Sequence, residues 1–136
     1  MARVKLMSKV RVLLADNHEM ILAQVRSVLS EEFEVVAAVN NGLEAVEEAR
    51  RLDPDVLVID ISMPILDGLE AASRLRSRRR TKIVFLTVHE DEDFVAAAFA
   101  AGASGYVIKS DIATDLIPAI RDVQDGRIYI SKSIAH

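Results

Sequence analysis

The chain has 136 residues, 51% of them hydrophobic, with a formal net charge of −4 and no cysteine. That length suits one domain with a real core and that apolar content argues against disorder, while the acidic balance gives no bulk reason to bind nucleic acid. Disulfides and thiolate metal sites are excluded, and neither a bilayer-spanning run nor a secretion-type start (Met1–Lys9) is present, so a cytoplasmic protein without a membrane partner is expected.

In chain order, the apolar run Val10–Ala15 ends in Asp16-Asn17. A helix follows, with Ile21, Leu22, Val25, Val28 and Leu29 on one face. Phe33–Val39 reads as a second strand. Asn41 then reads as an N-cap with Glu44 as its capping-box partner. That helix ends near Leu52, because Asp53-Pro54-Asp55 forbids its continuation.

Val56–Ile59 runs into Asp60, and Met63-Pro64 opens a loop. Asp67 is expected to cap a third helix with Leu69, Ala72 and Leu75 inward. Its far end carries Arg74, Arg76, Arg78, Arg79 and Arg80, a sign that suits the negative end of the helix dipole and reads as a solvated helix end. Ile83–Leu86 runs into Thr87, and Glu90–Asp93 opens an alanine-rich fourth helix that stops at Gly102. Tyr106–Ile108 runs into Lys109. Pro118 fits a fifth helix if Thr114 is the N-cap, since the first turn has N–H groups without intrahelical partners. Ile117, Ile120 and Val123 would face inward and Gly126 would stop the helix, leaving a short tail or the start of a linker.

Strand-length runs alternating with helix-period segments predict an α/β domain with a parallel sheet covered on both faces. The carboxyl ends of its strands would lie along one edge, where sites form in open α/β sheets. Asp16, Asn17, Asp60, Thr87 and Lys109 would meet there, a set that suits a divalent cation and a phosphoryl group.

At this point the pattern resembles the receiver domain of two-component response regulators, closest to the subfamily with a C-terminal LuxR-type helix-turn-helix. The residues carrying the resemblance are Leu14-Ala15-Asp16-Asn17-His18, Asp60 with Met63-Pro64 and Asp67-Gly68, Leu86-Thr87, and Gly102–Lys109. It implies a single flavodoxin-like (βα)5 three-layer sandwich of strand order 2-1-3-4-5. The domain would span residues 9–126, with 1–8 as an extension and 127–136 as tail or linker. Asp60 would be the phosphoacceptor, receiving its phosphoryl group from a sensor histidine kinase. Mg2+ would be held by Asp16, Asn17, Asp60 and the Ser62 backbone carbonyl, with Asp16 acting through water. Lys109 and Thr87 would contact the phosphoryl group, and Tyr106 would swing inward as Thr87 moves. Ser62 and His89 would modulate dephosphorylation. The module would act as a switch in transcriptional control, through a homodimer and a DNA-binding effector domain outside this chain, and not as a metabolic enzyme.

The departures from the family pattern matter as much. Asn17 stands where a metal-binding acid is usual, which implies weaker Mg2+ binding and slower phosphorylation. Val88 follows Thr87 where a smaller residue is usual, and Ser110 follows Lys109 where many receivers have proline. Together, Asn17 and Val88 open an alternative, an atypical receiver that works through protein contacts without phosphate. His18 reads as a loop or first-turn residue, and Asp67 as a helix cap and not a site residue.

Overall fold

A computed structural model of the chain describes residues 8–78 and 80–134. Residues 1–7 of the expected extension, Arg79 of the arginine cluster and residues 135–136 of the expected tail lie outside the described residues. Five strands form where the apolar runs predicted them: β1 (Arg11–Ala15), β2 (Glu34–Val39), β3 (Val56–Ile59), β4 (Lys82–Thr87) and β5 (Gly105–Ile108). All pair in parallel. β3 and β5 are buried at every position, because helices cover both faces of the sheet.

The helices are α1 (Glu19–Leu29), α2 (Gly42–Leu52), α3 (Gly68–Arg74), α4 (Glu92–Ala100) and α5 (Ile112–Gln124). Strand alternation divides the core in two. Leu13, Leu57, Ile59, Phe85 and Tyr106 pack with α2, α3 and α4. Val12, Leu14, Val58, Leu86 and Val107 pack on the other face with Val25 and Leu29 of α1 and Leu116, Ile120 and Val123 of α5. The caps form as expected at α2 and α3: Asn41 Oδ1 accepts from the Glu44 N–H at 2.9 Å, and Asp67 Oδ1 from the Glu70 N–H at 2.9 Å.

Three features differ from expectation. The sheet has six strands, in the order β2-β1-β3-β4-β5-β6, where the sequence suggested five. β6 (Tyr129–Ile130) lies in the stretch expected to be tail and pairs in parallel with β5. Ser131, fully buried, fixes it: its N–H donates to the Tyr106 carbonyl at 2.9 Å, and its Oγ accepts from the Ile108 N–H at 3.0 Å. Ser131→Ala would leave that buried N–H without a partner, so a loss of about 1–3 kcal/mol in urea unfolding is expected.

Thr114 is not the cap of α5. A 3-10 turn over Lys109–Asp111 runs straight into Ile112, and Pro118 lies in the helix interior. An interior proline costs about 3 kcal/mol or more. The helix continues because Ile112, Leu116, Ala119, Ile120 and Val123 are all buried against the sheet, and each large apolar side chain contributes roughly 1.5–3 kcal/mol. Pro118 itself is exposed.

Arg76, Arg78 and Arg80 are not a helix end, since α3 stops at Arg74. Arg78 pairs with Asp53 at 3.3 Å, and Arg80 with Asp53 at 3.0 Å and Asp55 at 3.2 Å. They clip the turn before β4 to the turn before β3, on the sheet edge opposite the candidate site.

Candidate functional site

The ladder ends place the two aspartates. The Asp16 N–H donates to the Val39 carbonyl and the Asp60 N–H to the Ala15 carbonyl, each at 3.0 Å. Both residues therefore stand just past their strands, on either side of the point where strand order reverses between β1 and β3. Both are buried, at 3% and 4% exposure.

Lys109, in the turn after β5, reaches between them. Its Nζ lies 2.9 Å from Asp60 Oδ2 and 2.7 Å from Asp16 Oδ2. The Asp16 contact is an ion pair without the angle of a directed hydrogen bond, so this buried oxygen keeps acceptor capacity. Burial pulls the ammonium's pKa down, but its close contacts with the Asp16 and Asp60 carboxylates and their attraction outweigh it, and the Lys109 pKa is raised above 10.5. Asp60 Oδ1 is held by the Ile61 N–H at 2.7 Å.

A second chain of contacts lines the rim. Ser62 Oγ and His89 Nε2 are 3.0 Å apart. The His89 ring stacks on Phe94 at 4.0 Å, and the His89 N–H donates to Thr87 Oγ1 at 3.4 Å. The Tyr106 hydroxyl donates to the His89 carbonyl at 2.7 Å, with its ring fully buried. The ring already lies inward. Burial, with Asp60 and Asp91 nearby, pushes its pKa to about 12.

Asp16, Asp60 and Lys109 are thus brought into direct contact, while Ser62, Thr87, His89 and Tyr106 form an adjoining rim network. Asn17 is exposed at the mouth. Sequence reasoning set His18 aside, yet its Nδ1 is 3.0 Å from Asp16 Oδ1 and 3.5 Å from Lys109 Nζ. Its position two residues after Asp16 was the available signal. Phe94, the platform for His89, gave none. For a divalent cation the donors fit: ligand atoms of Asp16, His18 and Asp60 lie within 4.8 Å of one another, and a buried Asp16 oxygen has no directed hydrogen bond.

A parallel α/β sheet with paired carboxylates at its reversal point and a lysine from a neighbouring strand end defines a class of small signalling domains. The chain belongs to the response regulator receiver domain family, whose sequence pattern matches residues 12–121. It is 36% identical over 132 residues to the transcriptional regulatory protein DegU of Brevibacillus brevis, covering 95% of this chain and 56% of that protein. It is 38% identical over 129 residues to the response regulator UvrY of Escherichia coli (strain K12), covering 93% of this chain and 59% of that one. The chain therefore spans little more than half the length of these relatives. Among solved structures, a LuxR-family two-component response regulator from Aurantimonas sp. SI85-9A1 superposes with a TM-score of 0.88 at 33% identity, covering 93% of each chain. The signal receiver domain of the putative response regulator NarL from Mycobacterium tuberculosis gives 0.84 at 31% identity, covering 88% of this chain and 99% of that one. Among the described residues no helix is long and apolar enough to cross a membrane.

Proposed function

We propose that this domain is a phosphorylation-controlled switch of a cytoplasmic two-component system, with Asp60 as acceptor of a phosphoryl group from a sensor histidine kinase. The observation that carries this reading is the Lys109 ammonium held against both Asp16 and Asp60 in a crevice at the strand ends. In the transfer, an Asp60 carboxylate oxygen forms a bond to phosphorus as the bond from phosphorus to the kinase imidazole breaks, and the imidazole nitrogen leaves with the electron pair. Such a step needs positioning and charge neutralisation more than covalent help. Lys109 supplies both, first holding the Asp60 carboxylate and then passing to a phosphoryl oxygen.

Asp16, Asn17, Asp60 and the Ser62 carbonyl are the groups that would hold magnesium, which when bound neutralises phosphoryl charge. The carboxamide of Asn17 carries no charge, so the affinity is weaker than a third carboxylate would give. Phosphorylation adds about −1.5 to −2 charge beside the Thr87 hydroxyl. A shift of Thr87 toward that charge would reach the His89 N–H it accepts from, and through the His89 carbonyl the Tyr106 hydroxyl. Ser62 and His89 stand at the rim, where a hydrolytic water would approach, and would set the lifetime of the phosphorylated state. The output, by this reading, is a homodimer that controls transcription through a DNA-binding effector domain.

The competing reading keeps the fold but not the phosphate, and Asn17 is its support. One assay separates them. Wild type incubated with phosphoramidate should gain the mass of one phosphoryl group, more at higher Mg2+, and Asp60→Asn should gain none. Labelling of Asp60→Asn would refute the acceptor; no labelling of wild type at any Mg2+ concentration would favour the phosphate-independent reading.

A further inference from the structure

We propose that His18 is a metal ligand, making the pocket a mixed nitrogen–oxygen site that favours a divalent transition metal over magnesium. This rests on the reading of the pocket as a divalent-cation site and names the class of cation it takes.

The geometry points inward. His18 is the N-cap of α1, with extended backbone (φ −103°, ψ 109°), yet its side chain makes no capping hydrogen bond. The imidazole instead turns back over the pocket, with Nδ1 at 3.0 Å from Asp16 Oδ1. Two ligands at adjacent corners of an octahedron, each about 2.1 Å from the metal, stand ~3.0 Å apart. The Asp16–His18 pair already has that spacing. The backbone helps to hold it, since the His18 N–H donates to the same Asp16 oxygen at 2.8 Å. The Lys109 ammonium lies against the other oxygen of Asp16 and 3.5 Å from His18 Nδ1, on the inner side of the pair. The His18 side chain is 60% exposed, which leaves a path for a hydrated ion.

The donor chemistry sets the preference. Magnesium is hard, takes oxygen ligands and gains little from an imidazole. Imidazole suits later first-row metals, and the affinity of an N/O site rises from Mn2+ toward Cu2+. At the neighbouring position Asn17 offers a neutral carboxamide. The site therefore has fewer hard anionic ligands and one imidazole nitrogen, and both differences move it away from magnesium.

The test is calorimetric titration of the whole chain with Mg2+ and with Co2+, together with the visible absorption of bound Co2+. Any N/O site binds Co2+ more tightly than Mg2+ to some degree, so the deciding readout is the variant. His18→Gln should weaken Co2+ about tenfold or more and change the Co2+ spectrum, while moving Mg2+ affinity less than about twofold. His18→Ala should repeat the result, with far-UV circular dichroism confirming the fold of each variant. Equal weakening of both metals, or no weakening of either, would overturn the proposal. Failure of the phosphoryl assay with the Co2+ split intact would remove the proposed function and leave this site standing; the reverse pattern would remove only the His18 ligand.

Discussion

Lys109→Met is expected to lower the unfolding free energy by about 3 kcal/mol at pH 7 in low salt. The reason is the company it leaves behind. The Asp16 and Asp60 side chains are each 5% exposed, and their ligand oxygens lie within 4.8 Å of each other. Two like charges at that spacing repel by about 3 kcal/mol at an effective dielectric constant near 20. Removing one partner of a buried ion pair costs about 3–5 kcal/mol in general. The crevice opens to solvent at its mouth, which favours the lower end.

The pH dependence separates this cause from a packing defect. A divalent cation should shrink the deficit against wild type, by supplying the missing charge. The raised Lys109 pKa means its contribution is complete below about 10.5 and is lost as pH rises through the folded value. Asp16→Asn in the Lys109→Met background should recover most of the loss in urea unfolding. A deficit unchanged by pH, cation and second substitution would show that the aliphatic stem, and not the charge, was what mattered.

The strand-end residues were legible in sequence because their signal is local. A run such as Val56–Ile59, short and preceded by Asp53-Pro54-Asp55, reads as a strand between two helical layers, and the polar residue that ends it then stands at the sheet edge. What depends on contacts distant in sequence was not legible. β6 has two residues and exists through a buried serine that bonds to a strand 23 positions earlier. The start of α5 was misplaced because Pro118 argued for a late start, while tertiary burial of Ile112 and Leu116 favoured an early one. Arg78 and Arg80 looked like a solvated helix end, and their partners Asp53 and Asp55 had been read only as breakers. His18 shows the same limit within the site. A histidine at a helix N-cap is usually a surface residue, and only the rotation of its ring toward Asp16 brings it to the pocket.

Gly68→Ala should be as damaging as losing Lys109, although it changes one methyl group. A Cβ at Gly68 would lie 2.0 Å from the Asp60 carbonyl oxygen, a backbone atom that no side-chain rotation can move aside. The Gly68 N–H also donates to the Ile61 carbonyl at 2.7 Å, so α3 is pinned against the peptide that carries the acceptor. The loop between is held at a second point: a Cβ at Gly42 would lie 1.9 Å from the Leu66 carbonyl oxygen. Between the two, Ile65 adopts φ 70°, a left-handed conformation that costs a β-branched residue about 1–3 kcal/mol and persists only where its surroundings fix it. Alanine is the better helix former by about 1 kcal/mol, so a propensity argument alone would have Gly68→Ala stabilise the first turn of α3. The clash should reverse that sign, with a net loss of about 3 kcal/mol in urea unfolding, at the upper end of overpacking effects. Because the strain falls on the Asp60 peptide, phosphoramidate labelling should slow in the fraction that remains folded. A variant as stable as wild type, with unchanged labelling, would mean the loop yields freely, and the close approach of α3 to Asp60 would then have no part in aiming the carboxylate.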